Sequence, residues 1–206
     1  MISRRWPVLV LLLLGACATS APSLSRTERD RLPRDARQEI FDAENDVIIA
    51  RNRQDEAVER LRAVREAMDQ LDERQARSEK RLSTTPGGSA RISALRKVTR
   101  AEQDYLDARR DVAKAEAEVA MQETITARAR LDLVKQRQLV RIGKEPLASL
   151  KDFEKAIEAE EAKGKEKRAS SLDLRSKAQA SLDTWKAAQE GYASQTGDFD
   201  SRVWIE

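Results

Sequence analysis

Residues 83–89 read Ser83-Thr84-Thr85-Pro86-Gly87-Gly88-Ser89. Pro-Gly-Gly ends a helix, and the Ser that follows can cap the next one. On either side, from 34 to 82 and from 90 to 142, the chain contains no Pro and no Gly. Two long uninterrupted runs joined by one short break predict two long helices that turn back on each other.

The spacing of apolar residues supports that reading. A seven-residue frame started at Ile40 places Ile40, Val47, Gln54, Leu61, Met68, Gln75 and Leu82 at one position, a. Three residues on, at d, stand Ala43, Ala50, Ala57, Val64, Leu71 and Ser78. Ten of these thirteen are apolar and the other three are uncharged. The intervening f positions, Asn45, Asn52, Glu59, Glu66, Glu73 and Lys80, are all polar. A heptad held this long predicts a coiled-coil seam. At ~1.5 Å per residue the helix is about 70 Å long. Phe41, Ile48 and Ile49 fall off this seam. They predict a second packing face for another helix of the chain, with a partner surface as the alternative.

Framed on Val98, the second run places Val98, Tyr105, Val112, Val119, Thr126, Leu133 and Val140 at a. Ala101, Ala108, Ala115, Gln122, Ala129 and Gln136 stand at d. Ile92, Leu95, Leu106, Met121, Ile125 and Leu131 lie beside this seam, and the extra apolar width suits contact with a third helix.

Gly143-Lys144-Glu145-Pro146 is the next break, with Gly143 as a C-cap and Pro146 in a first turn. Ser149-Leu150-Lys151-Asp152 has the form of a capping box. The third helix is predicted over 147–190. Its middle, Glu158–Arg168, is charged all round and contains Gly164, so it reads as the weakest part, able to splay or hinge. Lys163, Lys165, Lys167 and Arg168 could meet an anionic surface, but Glu158, Glu160, Glu161 and Glu166 largely cancel them. Residues 191–206 form a C-terminal tail. Its Trp204-Ile205 is expected to dock near Trp185 and Tyr192, or else to add a strand to a partner's sheet.

The fold class is therefore all-α: a long antiparallel coiled-coil hairpin with a third long helix packed on it, an elongated three-helix bundle. Composition agrees. Charged residues make up 36% of the 206, aromatics only 4%, and there are just seven Gly and five Pro. That is the balance of long helices that bury narrow seams.

The chain has no His and one Cys. His-based acid–base catalysis, Cys-His and Ser-His nucleophile pairs, His-ligated metal and an internal disulfide are thereby excluded. There is no Gly-rich phosphate loop, no Cys-x-x-Cys and no nucleophile elbow. These features predict a non-enzyme with no cofactor, no metal and no catalytic residue. Formal charge is +3, and Lys/Arg are interleaved with Asp/Glu, which argues against nucleic acid as a partner.

At the start of the chain, Arg4-Arg5 precedes an apolar run from Trp6 to Leu14. Nine residues are too short for a bilayer core, which needs about 20, and fit a signal peptide. Leu14-Gly15-Ala16-Cys17 follows, and it contains the chain's only Cys. This leader resembles that of bacterial lipoproteins, whose lipobox ends in a Cys. The resemblance covers residues 1–17 only. It implies a signal peptide over 1–16, a lipobox at Leu14, Gly15 and Ala16, and acylation of Cys17 as the lipidation site. The removed segment carries two Arg and no acid, so the mature chain has a net charge of +1. By the same resemblance, Ala18 after the lipidated Cys favours the outer membrane, facing the periplasm. Small and polar residues with Pro over 17–33 predict a flexible tether, in which Ser25-Arg26-Thr27-Glu28 could cap one short turn ended by Pro33.

These readings lead to a lipid-anchored protein of the bacterial cell envelope. Its partners would be the membrane, through acylated Cys17, and an envelope protein not identified by sequence. The expected function is a scaffold, spacer or adaptor presenting a helical hairpin away from the membrane. The alternative is a periplasmic chaperone-like holdase.

Overall fold

The structure is a computed structural model that describes residues 22–84 and 87–197. In chain order come α1 (Arg26–Arg31), α2 (Arg34–Ser83), α3 (Gly88–Arg141), a 3-10 turn (Leu147–Ser149) and α4 (Leu150–Thr196). α2, α3 and α4 form an elongated all-α three-helix bundle. α3 packs along both α2 and α4, which hardly touch one another.

In α2 the d row is the seam. Ala36, Ala43, Ala50, Ala57, Val64 and Leu71 recur every seven residues and are all buried. Of the a row, Ile40 and Leu82 are buried and the residues between are half-buried. The second run behaves differently. Ala108, Ala115 and Ala129, expected at d, are only half-buried, while the row Leu106, Ala113, Ala120, Ala127 is buried. The frame is displaced because α3 is covered on two sides. Its buried arc is wide, and the middle of that arc falls between the two seams.

α4 carries a third seven-residue row: Leu150, Ile157, Gly164, Ser171, Ala178, Trp185 and Tyr192. Gly164 therefore sits on the packing face. The segment Glu158–Arg168 neither splays nor breaks. It is continuous helix, tied to α3 by Gln122 Nε2, which donates to Glu160 O (3.2 Å) and Glu160 Oε2 (2.5 Å). Arg130 bonds Glu161 (2.6 Å) and Arg168 bonds Glu123 (2.8 Å). A charged run reads as solvated only if its neighbour offers no matching charge, and α3 offers several.

Larger side chains gather at the two ends. Near the hairpin turn, Leu82, Leu95, Val98, Ala101, Trp185 and Tyr192 form one core cluster. Trp185 stacks on Tyr105 with ring centroids 5.3 Å apart. At the opposite end Leu32, Ala36 and Ile40 are buried together, with Leu24 and Val134 against them.

This second cluster changes the reading of the tether. The Ser25–Glu28 capping box forms, and α1 ends at an extended Leu32 before Pro33. Leu32 is buried, Glu28 pairs with Lys144, and Arg29 pairs with Glu44 (2.5 Å). Residues 22–33, expected as flexible tether, thus fold onto the bundle, because Leu24 and Leu32 reach an apolar site that only the assembled helices create. The other end also shifts. α4 runs to Thr196 and closes at Gly197, so 191–196 belong to the helix. Tyr192 and Ala193, both buried, extend its packing face beyond Gly191.

Both breaks fall where the sequence puts them. At the first, Gly87 is left-handed (φ +74°) and caps α3, so Ser89 lies inside the helix. Gly88 has no room for a side chain, since a Cβ there would lie 2.1 Å from Leu82 O. At the second, the Lys144 N–H donates to Leu139 O (2.9 Å) and the Gly143 N–H to Val140 O (3.0 Å), a Schellman closure. The Ser149 capping box does not form. A 3-10 turn runs directly into α4, leaving Ser149 already helical. Its hydroxyl donates to Pro146 O (2.7 Å) and accepts from Gln136 Nε2 (2.6 Å).

Two glycines should respond in opposite ways. Gly88→Ala places a methyl against backbone and should lower the unfolding free energy by ~2 kcal/mol or more. At Gly164 a Cβ meets only Gln122 Cγ, at 3.7 Å. Gly164→Ala should therefore raise stability by about 1 kcal/mol through helix propensity. Chemical denaturation of both variants checks this, and a loss of stability in Gly164→Ala would contradict the packing described.

Candidate functional site

Because α2 and α4 both lie against α3 and not against each other, a groove runs between them with α3 as its floor. Three cavities occupy it, of about 460, 380 and 340 Å³. The largest is bounded by Ile49 and Arg53 of α2, Thr126 and Ala127 of α3, and Gly164 and Lys165 of α4. Its width follows from the small residues of the three rows. Where Ala50, Ala127 and Gly164 come together, no side chain fills the space between the walls.

The groove is crossed by ion pairs. Glu116 on the floor meets Arg175 of α4 (2.7 Å) and Arg60 of α2 (3.6 Å). One carboxylate thus links all three helices. Arg109 lies over the Tyr105 ring, 5.8 Å from its centroid.

Towards the hairpin turn the same face of α3 becomes buried and polar. Glu102, 2% exposed, receives a 2.8 Å hydrogen bond from Arg74 Nη2. Among the described residues Glu102 Oε2, Trp185 Nε1 and Gln189 Nε2 are buried without a hydrogen-bond partner. Burial pushes the Glu102 carboxyl above its ordinary range, against the opposing pull of Arg74. By contrast, hydrogen bonds from Arg96 and then Gln75 hold Glu79 down to about 2.

Cys17 and the lipobox residues Leu14, Gly15 and Ala16 lie outside the described residues, as does the Trp204-Ile205 tail. The groove was not visible from the sequence, although its parts were. The signal lay in the coincidence of small residues at one level of three helices. Phe41 and Ile48, expected to meet another helix of the chain, are 57% and 56% exposed, and no described helix covers them.

Among the described residues no group of His, Cys, Asp and Glu is arranged to hold a metal ion, and no helix is long and apolar enough to cross a membrane. Comparison with protein-family models, with curated proteins and with solved structures finds no match.

Glu102 gives the bundle a definite pH response. Its folded pKa is raised, so the folded state holds the proton more tightly than the unfolded chain. This contribution is fully present below the unfolded pKa, about 4.3, and is lost as pH rises through the folded value. Glu102→Gln has no such proton to lose. Urea unfolding at about pH 4 and pH 8 should show the variant gaining on wild type at the higher pH. An unchanged difference would mean that Glu102 titrates as an ordinary carboxylate.

Proposed function

We propose that the protein is a lipid-anchored scaffold or spacer of the bacterial cell envelope. In this reading acylated Cys17 holds it to the periplasmic face of the outer membrane. The observation that carries the reading is the polarity of the rod. Residues 22–33 dock at the end bearing the α3–α4 loop. The hairpin turn lies a full helix away, about 75 Å for the fifty residues of α2. A chain tethered through Cys17 would therefore present the Thr84–Gly87 turn far from its attachment point. The role is mechanical and needs no catalytic step. Stiffness matters for a spacer, and cross-helix pairs such as Arg60–Glu116–Arg175 together with two terminal apolar clusters supply it.

A holdase acting on envelope proteins is the second reading. The groove between α2 and α4 favours it, since it is long and open and includes the apolar Ile49 and Leu172.

Radiolabelled palmitate should enter the wild-type protein and be lost in Cys17→Ser, which should also leave the membrane fraction. Absence of label on wild type would remove the anchor. For the holdase, the mature protein should slow aggregation of an unfolded envelope protein at near-stoichiometric ratio, and Leu172→Glu should weaken that effect. No protection by wild type would leave the spacer reading alone.

A further inference from the structure

We infer that the α3–α4 loop is a second membrane contact, docking on the lipid surface beside the acyl anchor and standing the bundle upright. The inference rests on the proposed acylation of Cys17 and adds an orientation to it.

Large apolar side chains are exposed unevenly. In α2 none is exposed after Val58, in α3 none before Met121, and in α4 none after Leu172. Among the described residues, the half of the bundle nearest the hairpin turn exposes no large apolar side chain, and the exposed large apolar groups belong to the other half. At the extreme end of that half the loop 142–148 is exposed throughout. It carries Ile142 at 39% and Leu147 at 72% exposure, the latter the highest of any large apolar side chain described. Pro146 and Ala148 stand beside Leu147; Lys144 and Glu145 lie within the loop, Arg141 and Lys151 border it, and Arg141 and Lys144 are paired with Asp35 and Glu28. Exposed aliphatic tips bordered by a long basic side chain suit a bilayer interface, where the tips enter the acyl boundary and a lysine such as Lys151 extends toward the headgroups.

Chain geometry brings the anchor to the same plane. Leu24 packs with the cluster that includes Val134, and Glu28 pairs with Lys144 of the loop itself. Val134 stands seven residues before the end of α3, a setback of about 10 Å. Pro22 lies five positions after Cys17, and that stretch fully extended spans ~17 Å. Acyl chains on Cys17 can therefore enter the bilayer while Ile142 and Leu147 touch it. A single anchor leaves a rod free to tilt. A second contact at the rod's end fixes its direction and carries the hairpin turn away from the surface.

The test uses acylated protein purified from membranes and reconstituted into vesicles of phosphatidylethanolamine and phosphatidylglycerol with brominated acyl chains. Leu147→Cys, Ile48→Cys and Thr84→Cys each supply one free thiol for an environment-sensitive fluorophore, since Cys17 is blocked. All three positions are exposed, so the fold tolerates the label. The expected result is a blue-shifted probe at 147, quenched severalfold more than those at 48 and 84. Equal and weak quenching at all three sites on vesicle-bound protein would overturn the second contact while leaving the anchor intact. Strong quenching at 48 without 147 would overturn it in favour of a rod lying on α2. Protein that fails to float with the vesicles would remove the anchor reading, and this inference with it.

Discussion

Everything in this bundle depends on α3 being shared. A helix with one neighbour buries one stripe, and its partner's stripe closes the contact. α3 instead offers a wide arc to two helices that do not close on each other. The hairpin, the docking of α4 and the groove between the walls are consequences of that one arrangement.

The seam residues explain how such an open layer holds. Over the middle third, the facing rows are Ala50 and Ala57, Ala113, Ala120 and Ala127, and Gly164, Ser171 and Ala178. Side chains this small bury little area each, so hydrophobic stabilisation there is weak per layer. They let the backbones approach, which brings long charged side chains on the flanks within reach of the next helix. Arg130–Glu161, Arg168–Glu123 and Arg175–Glu116 follow from that approach. Exposed pairs contribute little apiece, and a ladder of them acts more through register than through energy. The larger stabilisation sits at the ends, in the Trp185–Tyr192 cluster and around Leu32 and Ile40.

Much of this was legible beforehand. Pro86-Gly87-Gly88 and Gly143 mark both turns, because a helix stop is a local matter of φ and of a missing N–H. The α2 seam was legible because α2 has a single close neighbour, so its buried row repeats every seven residues without competition. The α3 seam was misframed for the opposite reason. The charged run around Gly164 stays in place where splaying was expected, because propensity and hydropathy count a residue alone, whereas Gln122, Glu123 and Arg130 supply partners from 31 to 45 residues away. Residues 22–33 look like a linker in composition; the Ser25–Glu28 capping box marks the short turn, and Leu24 and Leu32 are the apolar residues that dock it.

The sequence by itself determined that the chain is helical, where α2 and α3 stop, and which face of α2 is buried. These properties depend on residue type and on spacing within one segment. Tertiary structure alone decided that α2 and α4 stay apart, that a groove opens where three small-residue rows meet, and that Glu102 is buried beside Arg74. It also decided that the N-terminal segment folds back beside the α3–α4 loop. Each of these depends on which surfaces of distant segments are brought to the same level, and no periodicity within a single helix encodes that level.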